Sequence, residues 1–239
     1  MTSSEVLTLM QARYGSANWQ QWQIQRWPFY DEVRYPTAGT TSLSLFQVPV
    51  GSVDPNSSLA KSTEQTNVQM PGSFGNVYYI ITQVRTLAYL LPFARQHATI
   101  IADANVIFTT YTNCMDKNLE LQRRGVLTMS IGFKQYLQIQ SPFLRAPAGY
   151  GIDIDQHSSS FVAAGTEWTK AACWVTNDND EDNVYNQTPP QVIEPNQTFS
   201  VTLTYPDGTG PVFTTLVDGV SPVFNVGVLF DGYIVRPAQ

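Results

Sequence analysis

Residues 127–139, LTMSIGFKQYLQI, carry the pattern that decides the fold class. Leu127, Met129, Ile131, Phe133, Leu137 and Ile139 occupy odd positions, while Thr128, Ser130, Gly132, Lys134, Gln138 and Gln140 occupy even ones. Side chains of a strand alternate between two faces, so this spacing predicts a single long β-strand with one apolar face. At about 3.3 Å per residue such a strand spans roughly 40 Å, and its neighbours must be long as well. Leu127, Met129, Ile131 and Phe133 are expected in the core.

The rest of the composition suits an all-β chain that packs against others. Of 239 residues, 43% are hydrophobic and only 13% charged, and the polar surface is supplied by Thr, Ser, Asn and Gln. Charged side chains are depleted where protein surface becomes interface. The net charge of −6 and the pI near 4.8 oppose a phosphate backbone, which excludes nucleic acid as a direct ligand. Cys114 and Cys173 read as reduced thiols, with a disulfide as the alternative, because the opening residues MTSSEVLTLMQARYG do not resemble a secretory signal. No apolar run approaches the roughly 18 residues of a membrane-spanning helix, so a soluble or membrane-peripheral chain is expected.

Two regions are expected, residues 1–35 and residues 36–239. In the first, Thr2 and Glu5 have capping-box spacing, and Val6, Leu9, Met10 and Tyr14 recur at helical intervals, predicting a short helix over residues 3–14 that ends near Gly15. The following segment NWQQWQIQRWPFY holds Trp19, Trp22 and Trp27. These indoles either cover one open end of the sandwich or form an interface, docking on a neighbouring subunit or a lipid layer.

Strands are expected to begin after Pro36. They cover residues 42–48, the near-continuous apolar run 77–93, residues 104–112, 118–122, the beam itself, 171–176, 192–205 in part, 212–217 and 225–235. That is about ten strands, and the run 77–93 must be covered on both faces. Arg85, the single charge of that run, is expected at a bend or on the wet face, with a buried salt bridge as the alternative. Asp231 and Gly232 predict a bulge in the last strand. The long connection 52–76 is rich in Ser, Asn, Pro and Gly, and loops of this length are usually functional or packed against something.

Catalytic constellations are not legible. A metal cupin needs converging histidines, and this chain has only His97 and His157, far apart in sequence. A Cys114–His97 dyad has only coincidence in its favour, and no nucleophile elbow or phosphate-cradling loop occurs. Asp178, Asp180 and Asp182 imitate a calcium loop, but Asn183 and Pro189 stand where that loop requires Gly and Glu, which leaves only a looser calcium site. Asp153 and Asp155 are close neighbours in a Gly-rich loop and do not define a glycosidase pair. The expectation is therefore no enzyme, with no catalytic residues, cofactor or metal.

Four segments carry a resemblance. YPTAGTTSLSLFQVPVG (35–51), MPGSFGNVYYIITQVRTLAYL (70–90), VIEPNQTFSVTLTYP (192–206) and NVGVLFDGYIVRP (225–237) together resemble the jelly-roll capsid proteins of tailless, icosahedral bacteriophages with an internal membrane. The resemblance is one of pattern over most of residues 36–237. It implies an all-β, antiparallel jelly-roll sandwich with a short N-terminal helix, a single roll rather than a compact double one, since about ten strands fall short of sixteen. It further implies a self-assembling shell subunit in the virion, made in the host cytoplasm. The implied partners are copies of itself in trimeric or hexameric capsomers, other capsid proteins and the internal lipid membrane. The alternatives are a spike, vertex or glycan-binding receptor-recognition module presenting residues 52–76 and 143–169, and a hydrolase or cupin.

Overall fold

The computed structural model describes residues 2–15, 22–90, 120–121, 124–140, 157–163, 166–172, 185–206, 208, 210–213 and 223–237. Among the described residues, the helix α1 (Ser3–Tyr14) precedes eleven strands: β1 (Trp22–Arg26), β2 (Phe29–Arg34), β3 (Ser42–Leu45), β4 (Tyr78–Leu90), β5 (Val126–Ile131), β6 (Lys134–Gln140), β7 (His157–Ala163), β8 (Thr166–Ala172), β9 (Tyr185–Ile193), β10 (Phe199–Thr204) and β11 (Phe224–Pro237). The fold is all-β, two antiparallel sheets face to face with one short helix.

The first sheet runs β1-β11-β4-β9, with β2 also paired to β11, and the second runs β3-β10-β5-β6; β7 and β8 form a separate hairpin. The pairings nest. β2 meets β11, β3 meets β10, β4 meets β9 and β5 meets β6, so the chain lies against itself like a folded ribbon whose turning point is the β5–β6 connection.

That turning point lies inside the predicted beam, and the beam is two strands rather than one. Ile131 pairs with Lys134 across Gly132 and Phe133, with Gly132 at φ 59°, a left-handed conformation that suits glycine. The reason the alternation survives the turn is arithmetic. A two-residue turn pairs odd positions with even ones, but Tyr136 is an extra residue in β6, and beyond it Met129 faces Leu137 and Leu127 faces Ile139. Turn and bulge together restore the parity, so the apolar set stays on one face. Leu127, Met129 and Ile131 are buried as expected, whereas Phe133 sits in the turn and is fully exposed.

Other boundaries also move. Strands begin at Trp22, not after Pro36: β1 and β2 lie end to end along β11, interrupted at Trp27 and Pro28 opposite the bulge. The bulge falls between Asp231 and Gly232 as predicted. Gly232 is obligatory there, since a Cβ would stand 2.1 Å from the Ile80 carbonyl oxygen. β3 stops at Leu45 because Phe46 takes φ 60°. Glu120 and Leu121 are helical rather than extended, and Val212 and Phe213 are not in a strand. Residues 143–169, in which no strand was expected, contain β7 and the start of β8; residues 104–112 lie outside the described residues.

The core between the sheets is aromatic. Phe29 stacks on Phe46 at 4.9 Å and Phe46 on Phe230 at 4.9 Å, while Phe74 stacks on Tyr79 at 4.2 Å and on Phe199 at 5.0 Å. Such pairs add to the stabilisation from area burial. A second cluster lies on the far side of β4 and β11, where Val6 and Met10 of α1 cover Ile80, Val192, Tyr233 and Val235. β4 therefore feeds both clusters, Tyr79 and Ile81 into one and Ile80 into the other, which accounts for its near-continuous apolar sequence. The capping box predicted for α1 is present, with the Thr2 side chain accepting from the Glu5 N–H and the Glu5 carboxylate accepting from the Thr2 N–H.

Candidate functional site

Of the three tryptophans expected to form an interface, Trp19 lies outside the described residues, and the other two have different roles. Trp22 is half-buried and meets Tyr78 edge-on at 5.8 Å. Tyr14 closes the same group from α1, 5.3 Å from Tyr78, and its hydroxyl donates to Glu194 Oε1 at 2.7 Å. Burial, then this hydrogen bond, pushes the Tyr14 phenol well above its ordinary range. Trp22 thus helps seat the helix on the sheet. Trp27 is tied only by its backbone, its N–H donating to the Gly232 carbonyl at 2.9 Å and its own carbonyl accepting from the Tyr79 hydroxyl at 2.7 Å. The residue remains 40% exposed.

The connection 52–76 is packed, as its length implied. It runs beside β2: the Glu32 N–H donates to the Gln65 carbonyl at 2.8 Å, and the Asn67 N–H donates to the Tyr30 carbonyl at 3.2 Å. Asn67 also accepts from the Tyr30 N–H at 3.0 Å and donates to the Pro28 carbonyl at 2.8 Å. In effect the loop covers the edge that β2 would otherwise expose. At its centre is an ion pair that sequence reasoning missed. Lys61 Nζ donates to Asp31 Oδ1 at 2.7 Å, with 1% and 0% of the two side chains exposed. Asp31 Oδ2 accepts the Phe46 N–H at 2.6 Å. Burial raises the Asp31 carboxyl above its ordinary range, although the charge and hydrogen bond of Lys61, the Phe46 N–H and Thr66 all pull it downward. The signal was a charged residue in phase with Phe29 and Val33, both of which face the core.

One end of the sandwich is built from the same loop and the β5–β6 turn. The Gly132 N–H donates to the Thr198 carbonyl at 2.8 Å, Thr198 bridges to Ser73, and Ser73 bridges to Met70. Below them the Phe199 N–H donates to the Gly72 carbonyl at 2.8 Å, and Gly72 approaches so closely that a Cβ would lie 2.6 Å from the Phe199 oxygen. This rigid end presents Phe133, fully exposed, and Met70, 51% exposed.

Elsewhere, Arg26 forms an ion pair with Asp231 at the bulge, and half-buried Arg85 donates to Gln83 Oε1 at 2.9 Å. The Gln83 amide in turn donates to Asn186 Oδ1 at 3.0 Å, but the Arg85 Nε is buried with no hydrogen-bond partner among the described residues, so Arg85 is not simply on a wet face as expected. Among the described residues no three His, Cys, Asp or Glu side chains converge on a potential metal position, and no helix is long and apolar enough to cross a membrane. His97, Cys114, Asp153, Asp155, Cys173, Asp178, Asp180 and Asp182 lie outside the described residues, and His157 opens β7. No family model, curated protein or solved structure matches the chain.

Proposed function

We propose that the sandwich is a single jelly roll and that the chain is a structural coat subunit, self-assembling into the icosahedral shell of a virion that encloses an internal membrane. The observation that carries the reading is the nested pairing of β2 with β11, β3 with β10, β4 with β9 and β5 with β6, split between two four-strand rows. A jelly roll is that arrangement, two interlocked Greek keys of eight strands, and it is common in capsid and lectin domains. β1 extends the β2 row, and β7 with β8 is an insertion between β6 and β9.

A fold of this kind serves many functions, so the assignment to a shell leans on the surface. Charged residues are only 13% of the chain, and the described structure holds exposed Phe133, Met70, Val53, Leu59 and Val212. The partners on this reading are copies of the chain, other coat proteins and the bilayer beneath. The test is electron microscopy and sedimentation of the purified full chain at rising concentration. Sheets, capsomers or closed shells are the expected result, and a chain that stays monomeric throughout overturns it. Copy number in an intact particle, read by mass spectrometry, distinguishes a major shell protein from a vertex or spike component.

A further inference from the structure

We propose that the β5–β6 turn is the contact by which one copy of this chain grips another, with Phe133 as the apolar anchor and Lys134 as the steering charge. The proposal rests on the coat reading for its context and deepens it by naming the face and its occupant.

Three observations converge on the turn. Phe133 is fully exposed, yet its turn is held by the hydrogen bond from Gly132 to Thr198, so little backbone freedom is lost when a partner covers it. The described segments that meet the turn bring no repulsive charge: residues 65–84 and 195–206 contain no Asp, Glu, Lys or Arg. Lys134 is the single charge between residues 125 and 140, and its ammonium lies 5.3 Å from the centre of the Tyr136 ring. A chain of net charge −6 repels its own copies on the whole. An uncharged end with one cation at its tip is where such a chain meets another with attraction instead. That complementarity, an apolar knob with a positive charge against an acidic protein, identifies a second copy as the occupant.

The size of the contact sets its strength. An aromatic side chain buries about 150–250 Å², and with Met70 the patch remains far below the roughly 800 Å² per partner of a stable dimer. A single contact is therefore weak and reversible, and it becomes effective when many copies engage at once, as in a shell.

Sedimentation velocity of the full chain, at low and high salt, tests this with F133S, F133W and K134E. Wild type and F133W are expected to self-associate, F133S to associate roughly thirtyfold more weakly at unchanged melting temperature, and K134E to associate more weakly than wild type, by the widest margin at low salt. Equal association of F133S and wild type overturns this inference and leaves the coat reading standing. A wild type that is monomeric under every condition overturns both. Association of wild type with anionic vesicles alone, lost in F133S, overturns the second copy in favour of a lipid surface.

Discussion

Asp31 and Lys61 form an ion pair 2.7 Å long that is shut off from water and ties β2 to the 52–76 connection. Removing one partner strands the other charge. Lys61→Met is expected to cost about 3–5 kcal/mol, the usual penalty for an orphaned buried ion. Because the penalty comes from the stranded carboxylate, the double variant Asp31→Asn with Lys61→Met is expected to recover a large part of it. Urea unfolding of the two variants checks the point, and equal destabilisation in both would show that the pair is not the source.

Ile131 and Phe133 have the same parity in sequence but opposite fates in the structure. Ile131 is 3% exposed and pairs with Phe199, whereas Phe133 is fully exposed. Ile131→Asp is expected to abolish folding, since a lone carboxylate would enter the core. Phe133→Asp is expected to fold, with a change in unfolding free energy within about 0.5 kcal/mol, as for other surface substitutions. Circular dichroism and denaturant titration of the pair decide it; an unfolded F133D would put that ring back into the core.

Four tyrosines are expected to resist ionisation until the fold opens. Burial pushes Tyr35 up to about 12 and raises Tyr14, Tyr79 and Tyr205 as well, against an ordinary phenol near 10. A phenol whose value is raised by folding is bound to its proton more tightly in the native state. Its contribution is complete below the ordinary phenol range and is lost as pH rises through the folded value. Stability is therefore expected to fall between about pH 10 and about pH 12, with buried tyrosinate absorbance and loss of circular dichroism appearing in one step. Ionisation of these phenols with the sheet signal intact would contradict the burial that produces the shifts.

What the sequence made legible was local. The Thr2 capping box, the alternation of β10 and the bulge at Gly232 each depend on a few adjacent residues, and each is present. The hairpin was hidden because Tyr136 compensates for the turn, leaving a parity that a single strand would also give. Gly132 was the available sign, a flexible residue in the middle of a run of alternation. β1 was hidden by its composition, since WQIQR reads as an aromatic arm until β11 supplies a partner. The Asp31–Lys61 pair was half legible: Asp31 falls in phase with Phe29 and Val33, but nothing local joins it to a loop residue that folds back beside it.

The nesting of the strands also sets an order in time. Leu127 finds Ile139 close by in the chain, while Val33 must wait for Val226, which comes from near the other end. Short loops close sooner and with less loss of entropy than long ones, so pairing is expected to start at the Gly132–Phe133 turn and spread outward row by row. A chain still emerging from the ribosome can therefore form its innermost hairpin but not its outermost, because β11 has not yet been made. Until then β2 and its apolar inner face wait without their sheet partner, and the 52–76 connection, already synthesised and able to lie along that strand, serves as its first cover.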